Sequence, residues 1–213
     1  MPTDPAILYI NNVINNPKKW VGGQNAGGDS NVPNLTIGKT KSLSSNNSLP
    51  TNTNLAKIIE NAGYKKGTGA YEMALAIGTK EGWYKGTRSF RNNNPGNLDY
   101  SNNLKNIDNG VTIENGGKGR FAKFSTAELG IKALVENKIK RWANGNMPIT
   151  SGNQSQLPGG YKKGTQPTIK QFFYTYAPPS ENNTQLYISQ VINALNKNGF
   201  NIGENSKVID ILK

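Results

Sequence analysis

The chain has 213 residues, and its 25 Lys and Arg outnumber its 13 Asp and Glu, giving a formal net charge of +12. It contains 0 Cys and 0 His, which excludes disulfides, thiol nucleophiles, Ser-His triads and histidine-ligated zinc. The positive charge indicates an anionic partner. Because the basic residues are dispersed and form no recognisable nucleic-acid-binding motif, an acidic polymer of another kind, such as a bacterial cell wall, fits this charge as well as nucleic acid does.

Residues 1–53 differ in composition from the rest of the chain. Asp4 and Pro5 are typical of a helix start, and the apolar residues that follow recur at helical spacing until Pro17. The segment from Val21 to Asn54 is rich in Gly, Asn, Ser and Thr, which predicts a linker or an extended arm. We expect this arm either to pack on its own domain or to dock on a larger assembly or a membrane surface.

Residues 54–213 carry the pattern of a folded domain. The sequence predicts a short helix closed by Gly63 and a second helix from about Gly69 to Trp83. Between Asn92 and Lys123, short apolar patches separated by Asn and Gly favour a small β-hairpin or three-stranded sheet. These features predict an α+β, mostly helical domain with a small β-hairpin region.

Capping signals mark the later helices. Ser125 and Glu128 match an S-x-x-E capping box, which predicts a helix from Thr126 to about Asn144. A second box, formed by Thr168 and Gln171, predicts a helix that ends before two consecutive prolines. A last helix is expected over residues 184–198, ending at a glycine.

Glu81 is the carboxylate with the strongest positional case. At about 100° per residue, it shares one side of its predicted helix with apolar residues, namely Ala70, Ala74 and Ile77. Removal from water favours the neutral form of a carboxyl group, and a general acid must hold a proton. Glu81 is therefore a candidate general acid; the structural alternative is a buried glutamate paired with Arg88 or Arg91.

An asparagine-rich turn follows Glu81. The string Arg-Asn-Asn-Asn-Pro-Gly-Asn-Leu begins at Arg91, and its amides supply the donors and acceptors that sugar hydroxyl and acetamido groups need. We expect Asn93, Asn94 and Asn97 to contact such a substrate. Trp83 is a candidate for stacking on a sugar ring, or alternatively a core residue.

Three strings together resemble a known family. EGW followed by RNNNPGNL, then GRFAKF-STAELGIKAL, then YAPPSENNTQLYISQV are similar to the lysozyme-like, lytic-transglycosylase-type muralytic proteins of bacteriophage particles and prophages. The resemblance covers about residues 54–198. It implies a lysozyme-like domain in which Glu81 is the catalytic acid, the Asn-rich turn lines the glycan cleft, and Tyr176 is a cleft tyrosine. It implies neither a metal nor a cofactor.

The resemblance leaves the cleaved bond and the product open. Gly82 stands where soluble lytic transglycosylases commonly carry serine, RNNNPGNL replaces their GLMQ-like motif, and the glucosaminidase branch is also similar. We therefore expect a virion-associated peptidoglycan lytic transglycosylase, with residues 1–53 docking on virion proteins. The alternatives are an N-acetylglucosaminidase or muramidase hydrolase, and an inactive structural virion protein that binds murein or genome. Assistance from Asp99 or Glu181 in the cleft also stays open.

Overall fold

The computed structural model describes residues 53–149 and 157–213. The expected N-terminal helix and almost all of the arm lie outside these described residues. The described residues form a mostly helical α+β fold with one small antiparallel sheet, as the sequence predicts. Among them, no helix is both long enough and apolar enough to cross a membrane.

The first two helices end at glycines. Helix α1 spans Thr53–Asn61, and Gly63 follows it in the left-handed conformation, with φ of +95°. Helix α2 spans Gly69–Lys80 and ends earlier than predicted, because Gly82 also adopts a left-handed φ, of +76°. Glu81 is therefore the C-cap residue of α2 rather than a residue inside the helix.

A small β region follows the short helix α3, Arg88–Arg91, and a 3₁₀-helix, Asn102–Asn106. Strand β1, Thr112–Ile113, pairs antiparallel with β2, Ala122–Lys123. A single bridge between Asp99 and Phe121 extends this pairing toward the Asn-rich turn. The predicted β region is confirmed, and it stands directly beside the turn.

Helix α4, Ala127–Ala133, continues as π-helical turns over Leu134–Lys140 and ends within Trp142–Asn146, where Gly145 adopts a left-handed φ of +86°. Its bounds agree with the predicted helix, but the predicted capping box is wrong. Thr126 is the N-cap, and its side chain accepts from the Leu129 amide. Ser125 is already engaged, because its amide and hydroxyl both donate to the Asp108 carboxylate, at 2.7 and 2.9 Å.

Three helices complete the described chain: α5, Ile169–Tyr176; α6, Thr184–Lys197; and α7, Val208–Ile211. The capping box of Thr168 and Gln171 is confirmed. The expectation that α6 is the last helix is wrong. Helix α7 has only 4 residues, too few to display a helical period, and a bridge from Thr168 to Lys207 positions it.

Helix α2 lies at the centre, packed against α1, α6 and the π-helical part of α4. A group of aromatic rings fills the space between α4, α5 and α6, comprising Trp142, Phe172, Phe173, Tyr176 and Tyr187. This packing brings the C-terminal end of α2 against one side of α6, where Glu81 lies.

Candidate active site

Two neutral donors hold the Glu81 carboxylate. The Tyr187 hydroxyl donates to Oε1 at 3.0 Å, and the Asn97 amide nitrogen Nδ2 donates to Oε2 at 2.9 Å. Glu81 itself is half-buried. Because neither partner carries a charge, the carboxylate is oriented without being locked in a salt bridge.

Asn97 reaches Glu81 from a strained turn. Its φ is +45°, in the left-handed region that few non-glycine residues adopt. Its Nδ2 also lies 3.4 Å from the Glu81 carbonyl oxygen, so acceptors fix which end of the amide faces Glu81. The opposite atom, Oδ1, is buried and has no hydrogen-bond partner in the described structure.

Tyr187 is a site residue that the sequence does not single out. It lies on the inward face of α6 at ordinary core spacing, and its side chain is 2% exposed. Burial, and then the nearby Glu81 charge, raise the pKa of the Tyr187 hydroxyl well above its usual range. The hydroxyl therefore stays protonated and acts as a donor to Glu81.

The other two asparagines of the turn, Asn93 and Asn94, hydrogen-bond to backbone groups and do not contact Glu81. Asn94 is fully buried; its Nδ2 donates to the carbonyls of Leu98 and Ala122, and its Oδ1 accepts from the Leu98 amide. Asn93, also left-handed with φ of +48°, donates to the carbonyls of Phe124 and Ser125. Of the three predicted contacts, the structure therefore brings only Asn97 to Glu81.

Two glycines let this turn pack closely on its neighbours. A Cβ atom on Gly130 of α4 would lie 2.1 Å from the Asn93 carbonyl oxygen, which is far inside van der Waals contact. A Cβ on Gly96 would lie 3.0 Å from both the Tyr176 hydroxyl and a Leu134 methyl. The turn is thus pressed between α4 and α5, and this fixes the position of Asn97.

Glu81 opens into a cleft of about 520 Å³. Its polar lining includes Glu81, Arg88, Asn97, Arg120, Lys138 and Tyr176. Tyr176 also donates its hydroxyl to the Gly96 carbonyl, and burial raises its pKa well above the usual range. Trp83 is not in this lining: it is 3% exposed and packs against Phe90 with ring centroids 5.1 Å apart, which is the core position.

Ion pairs engage two of the three carboxylates that line the cleft. Arg120 bonds Asp99 at 2.9 Å and Glu181 at 3.0 Å, and its guanidinium lies 4.7 Å from the centroid of the Phe121 ring. Within the described ranges, Glu81 forms no ion pair with Arg88 or Arg91. The described structure therefore lacks the ion pair that the alternative interpretation of Glu81, a structural glutamate paired with Arg88 or Arg91, requires.

The described residues contain no cluster of three or more side chains that could hold a metal ion. Comparison of the chain with known protein families, with curated proteins and with solved structures gives no match.

Proposed function

We propose that this protein cleaves the glycan strand of peptidoglycan as a lytic transglycosylase, with a lysozyme-like domain and Glu81 as its catalytic acid. The observation that carries the proposal is the Glu81 carboxylate at the cleft surface, held by Tyr187 and Asn97. Neutral donors orient the group and leave it free to exchange a proton with a substrate. The resemblance of the Asn-rich turn to phage muralytic proteins supports the choice of substrate.

The proposed reaction uses one protein carboxylate twice. Protonated Glu81 donates its proton to the glycosidic oxygen as the C1–O bond of the muramic residue breaks. The carbonyl oxygen of the substrate's own N-acetyl group bonds to C1 and stabilises the positive centre. The muramic 6-hydroxyl then displaces this oxygen at C1, and Glu81 takes the hydroxyl proton. The products are a 1,6-anhydro sugar and a strand with a free 4-hydroxyl.

The ion pairs of the cleft support a mechanism with a single acid. An inverting hydrolase needs a second carboxylate to activate water, and a retaining one needs a second carboxylate as nucleophile. Asp99 and Glu181 are the other carboxylates of the cleft lining, and both are bound to Arg120. We therefore give neither residue a catalytic role, and the substrate's N-acetyl and 6-hydroxyl groups take those functions.

The proposal extends to where the protein works. The resemblance to virion-borne proteins supports incorporation into a phage particle through residues 1–53, and action in the bacterial cell envelope during host entry or lysis. The net charge of +12 suits an anionic cell wall.

Glu81→Gln tests the proposal. The substitution keeps the side chain's size and removes the proton donor, so digestion of purified peptidoglycan should fall by about 10²–10⁴-fold. Glu60→Gln, at an exposed acid on α1, is the matched control and should digest at the wild-type rate. Digestion is followed by turbidity loss, with circular dichroism to verify folding.

Mass spectrometry of the released fragments identifies the reaction. The transglycosylase predicts 1,6-anhydromuropeptides with no new reducing end. Fragments that carry a reducing end, heavier by one water, would assign the protein to the hydrolases instead. A folded wild-type protein that releases no fragments would contradict the proposed activity.

A further inference from the structure

Two of the three cations that line the cleft form no direct ion pair within the described part of the chain. Three basic side chains line the cleft, and one of them, Arg120, forms ion pairs with both Asp99 and Glu181. The remaining two, Arg88 and Lys138, form no ion pair with any carboxylate in the described part of the chain. With Glu81 protonated, as the proposed mechanism requires, the three cations of the lining face two carboxylates, so the cleft then carries one uncompensated positive charge.

Arg88 lies on an aromatic surface beside Glu81. Its guanidinium carbon is 3.7 Å from the centroid of the Phe121 ring, and its Nε is buried with no hydrogen-bond partner in the described structure. Burial lowers the pKa of the Arg88 guanidinium, while the charges of Glu114 and Glu81 oppose that shift. A half-buried arginine whose Nε lacks an acceptor keeps a desolvation cost, which an acceptor on a ligand at the other guanidinium nitrogens would help to offset.

Lys138 lies on the π-helical part of α4, on another wall of the same cleft. Its ammonium nitrogen is 4.8 Å from the centroid of the Trp142 ring, which also lines the cleft. Burial lowers the pKa of the Lys138 ammonium, partly offset by the charge of Asp99. The ring holds the ammonium group at the cleft but supplies no hydrogen-bond acceptor.

We propose that Arg88 and Lys138 recognise carboxylates carried by the glycan strand, so that the cleft selects acidic strands over neutral ones. This inference rests on the proposed function and deepens it by defining the substrate class. In peptidoglycan, such carboxylates have two sources: the lactyl ether of muramic acid, where no peptide is attached, and the stem peptide. A neutral strand of N-acetylglucosamine offers the same sugar rings without these carboxylates.

Binding is measured by calorimetry on the full chain carrying Glu81→Gln, so that the ligand is not consumed. Three ligands separate the sources of charge: chitotetraose, a peptide-free muramic strand with lactyl carboxylates, and a strand with stem peptides. Arg88→Met and Lys138→Met, added singly, remove the charge and keep an apolar side chain. Each substitution should weaken, about tenfold, the binding of the strand whose carboxylate the substituted residue contacts. The affinity for chitotetraose should change by less than about twofold.

Matched controls change the same charge outside the cleft. Arg91→Met lies on α3 with Arg88, where Arg91 donates to the Gly86 carbonyl. Lys140→Met lies two residues after Lys138, where Lys140 pairs with Glu136. Neither residue belongs to the lining of the cleft. Both control variants should bind all three ligands as the Glu81→Gln parent does.

Two results overturn the inference: unchanged binding of both acidic strands in both cleft variants, or an equal loss for acidic and neutral ligands. A second measurement needs no cleft variant beyond Glu81→Gln. Raising the salt concentration should weaken binding of the acidic strands and leave chitotetraose unaffected, and equal salt dependence would contradict the proposal. Failure of the proposed function is seen separately, as absence of cleavage by the wild-type protein.

Discussion

Asn97 shows how one residue serves both the backbone and the proposed chemistry. Its left-handed backbone suits asparagine or glycine, whereas only its side chain reaches Glu81. The two roles can be separated by substituting the residue in two ways. Glycine keeps the turn and removes the contact, while alanine removes the contact and also strains the turn.

We therefore expect Asn97→Gly to lower wall-digesting activity about tenfold with little change in the free energy of unfolding. Asn97→Ala should lose similar activity and also about 1 kcal/mol of stability. Urea unfolding and turbidity assays measure the two effects. Asn115→Gly, at an exposed residue with φ of +55°, is the control and should affect neither. Full activity in Asn97→Gly would remove Asn97 from the site.

Tyr187 is expected to position Glu81 without contacting substrate. Tyr187→Phe removes the donor to Oε1 and keeps the buried ring. We predict that kcat falls about tenfold with KM unchanged. The free energy of unfolding should fall by about 1 kcal/mol because one hydrogen bond is lost. Tyr84→Phe, at a 37% exposed tyrosine, should leave both quantities at wild-type values. A rise in KM alone would indicate a binding role instead.

For single residues, the sequence predicts the candidate carboxylate, Glu81, but not all of the side chains that contact it in the fold. Glu81 is found from helical spacing, and Asn97 from a motif that lies close by in the chain. Tyr187 is 106 residues away from Glu81, and its spacing is that of any core tyrosine. Arg120 is separated from Glu181 by 61 residues, so this pairing too depends on tertiary packing.

Among the elements, the contact between α4 and the Asn-rich turn is the tightest constraint on the site. Gly130→Ala would bring a methyl group within 2.1 Å of the Asn93 carbonyl oxygen. We expect a loss of about 1–3 kcal/mol in the free energy of unfolding, and loss of activity because the turn moves with Asn97. Urea unfolding measures the first effect and peptidoglycan digestion the second.

Gly203→Ala is the control for this substitution. An added Cβ at Gly203 meets nothing within 4 Å, so stability should change by less than about 0.5 kcal/mol. Equal effects of the two substitutions would show that Gly130 is not a point of close packing.

Helix ends are predicted well where capping residues have no competing partner. Thr168 and Gln171 form the expected box, whereas Asp108 engages Ser125 and moves the N-cap of α4 to Thr126. Asp108 lies 17 residues before Ser125, so a local reading of the helix start does not detect the competition. The sequence pattern likewise does not indicate the π-helical turns over Leu134–Lys140.

For the molecule as a whole, buried tyrosines make the free energy of unfolding depend on pH in the alkaline range. Burial raises the pKa of Tyr176 and Tyr187 in the folded state, so the unfolded chain releases these protons first. Their contribution to stability is complete below about pH 10 and is lost as the pH rises toward the folded-state values. The free energy of unfolding should thus fall above about pH 10, by up to about 1.4 kcal/mol per pH unit for each tyrosine.

Urea titrations from about pH 8 to about pH 11 measure this slope. Tyr187→Phe should make the slope shallower, because one buried hydroxyl no longer titrates. Tyr84→Phe, at an exposed tyrosine, should leave it unchanged. A wild-type slope that Tyr187→Phe does not reduce would show that this hydroxyl is not protected by the fold.

The π-helical turns over Leu134–Lys140 make the length of this segment a fixed property of the protein. Each wide turn contains one more residue than the bonding pattern of an α-helix allows. Deleting a residue between Lys138 and Trp142 would shorten their separation from four residues to three and rotate one side chain by about 100° relative to the other. Lys138 and Trp142 would then no longer face the cleft together. Homologous chains should therefore vary in sequence at exposed positions such as Arg141 and still contain no insertion or deletion in this segment.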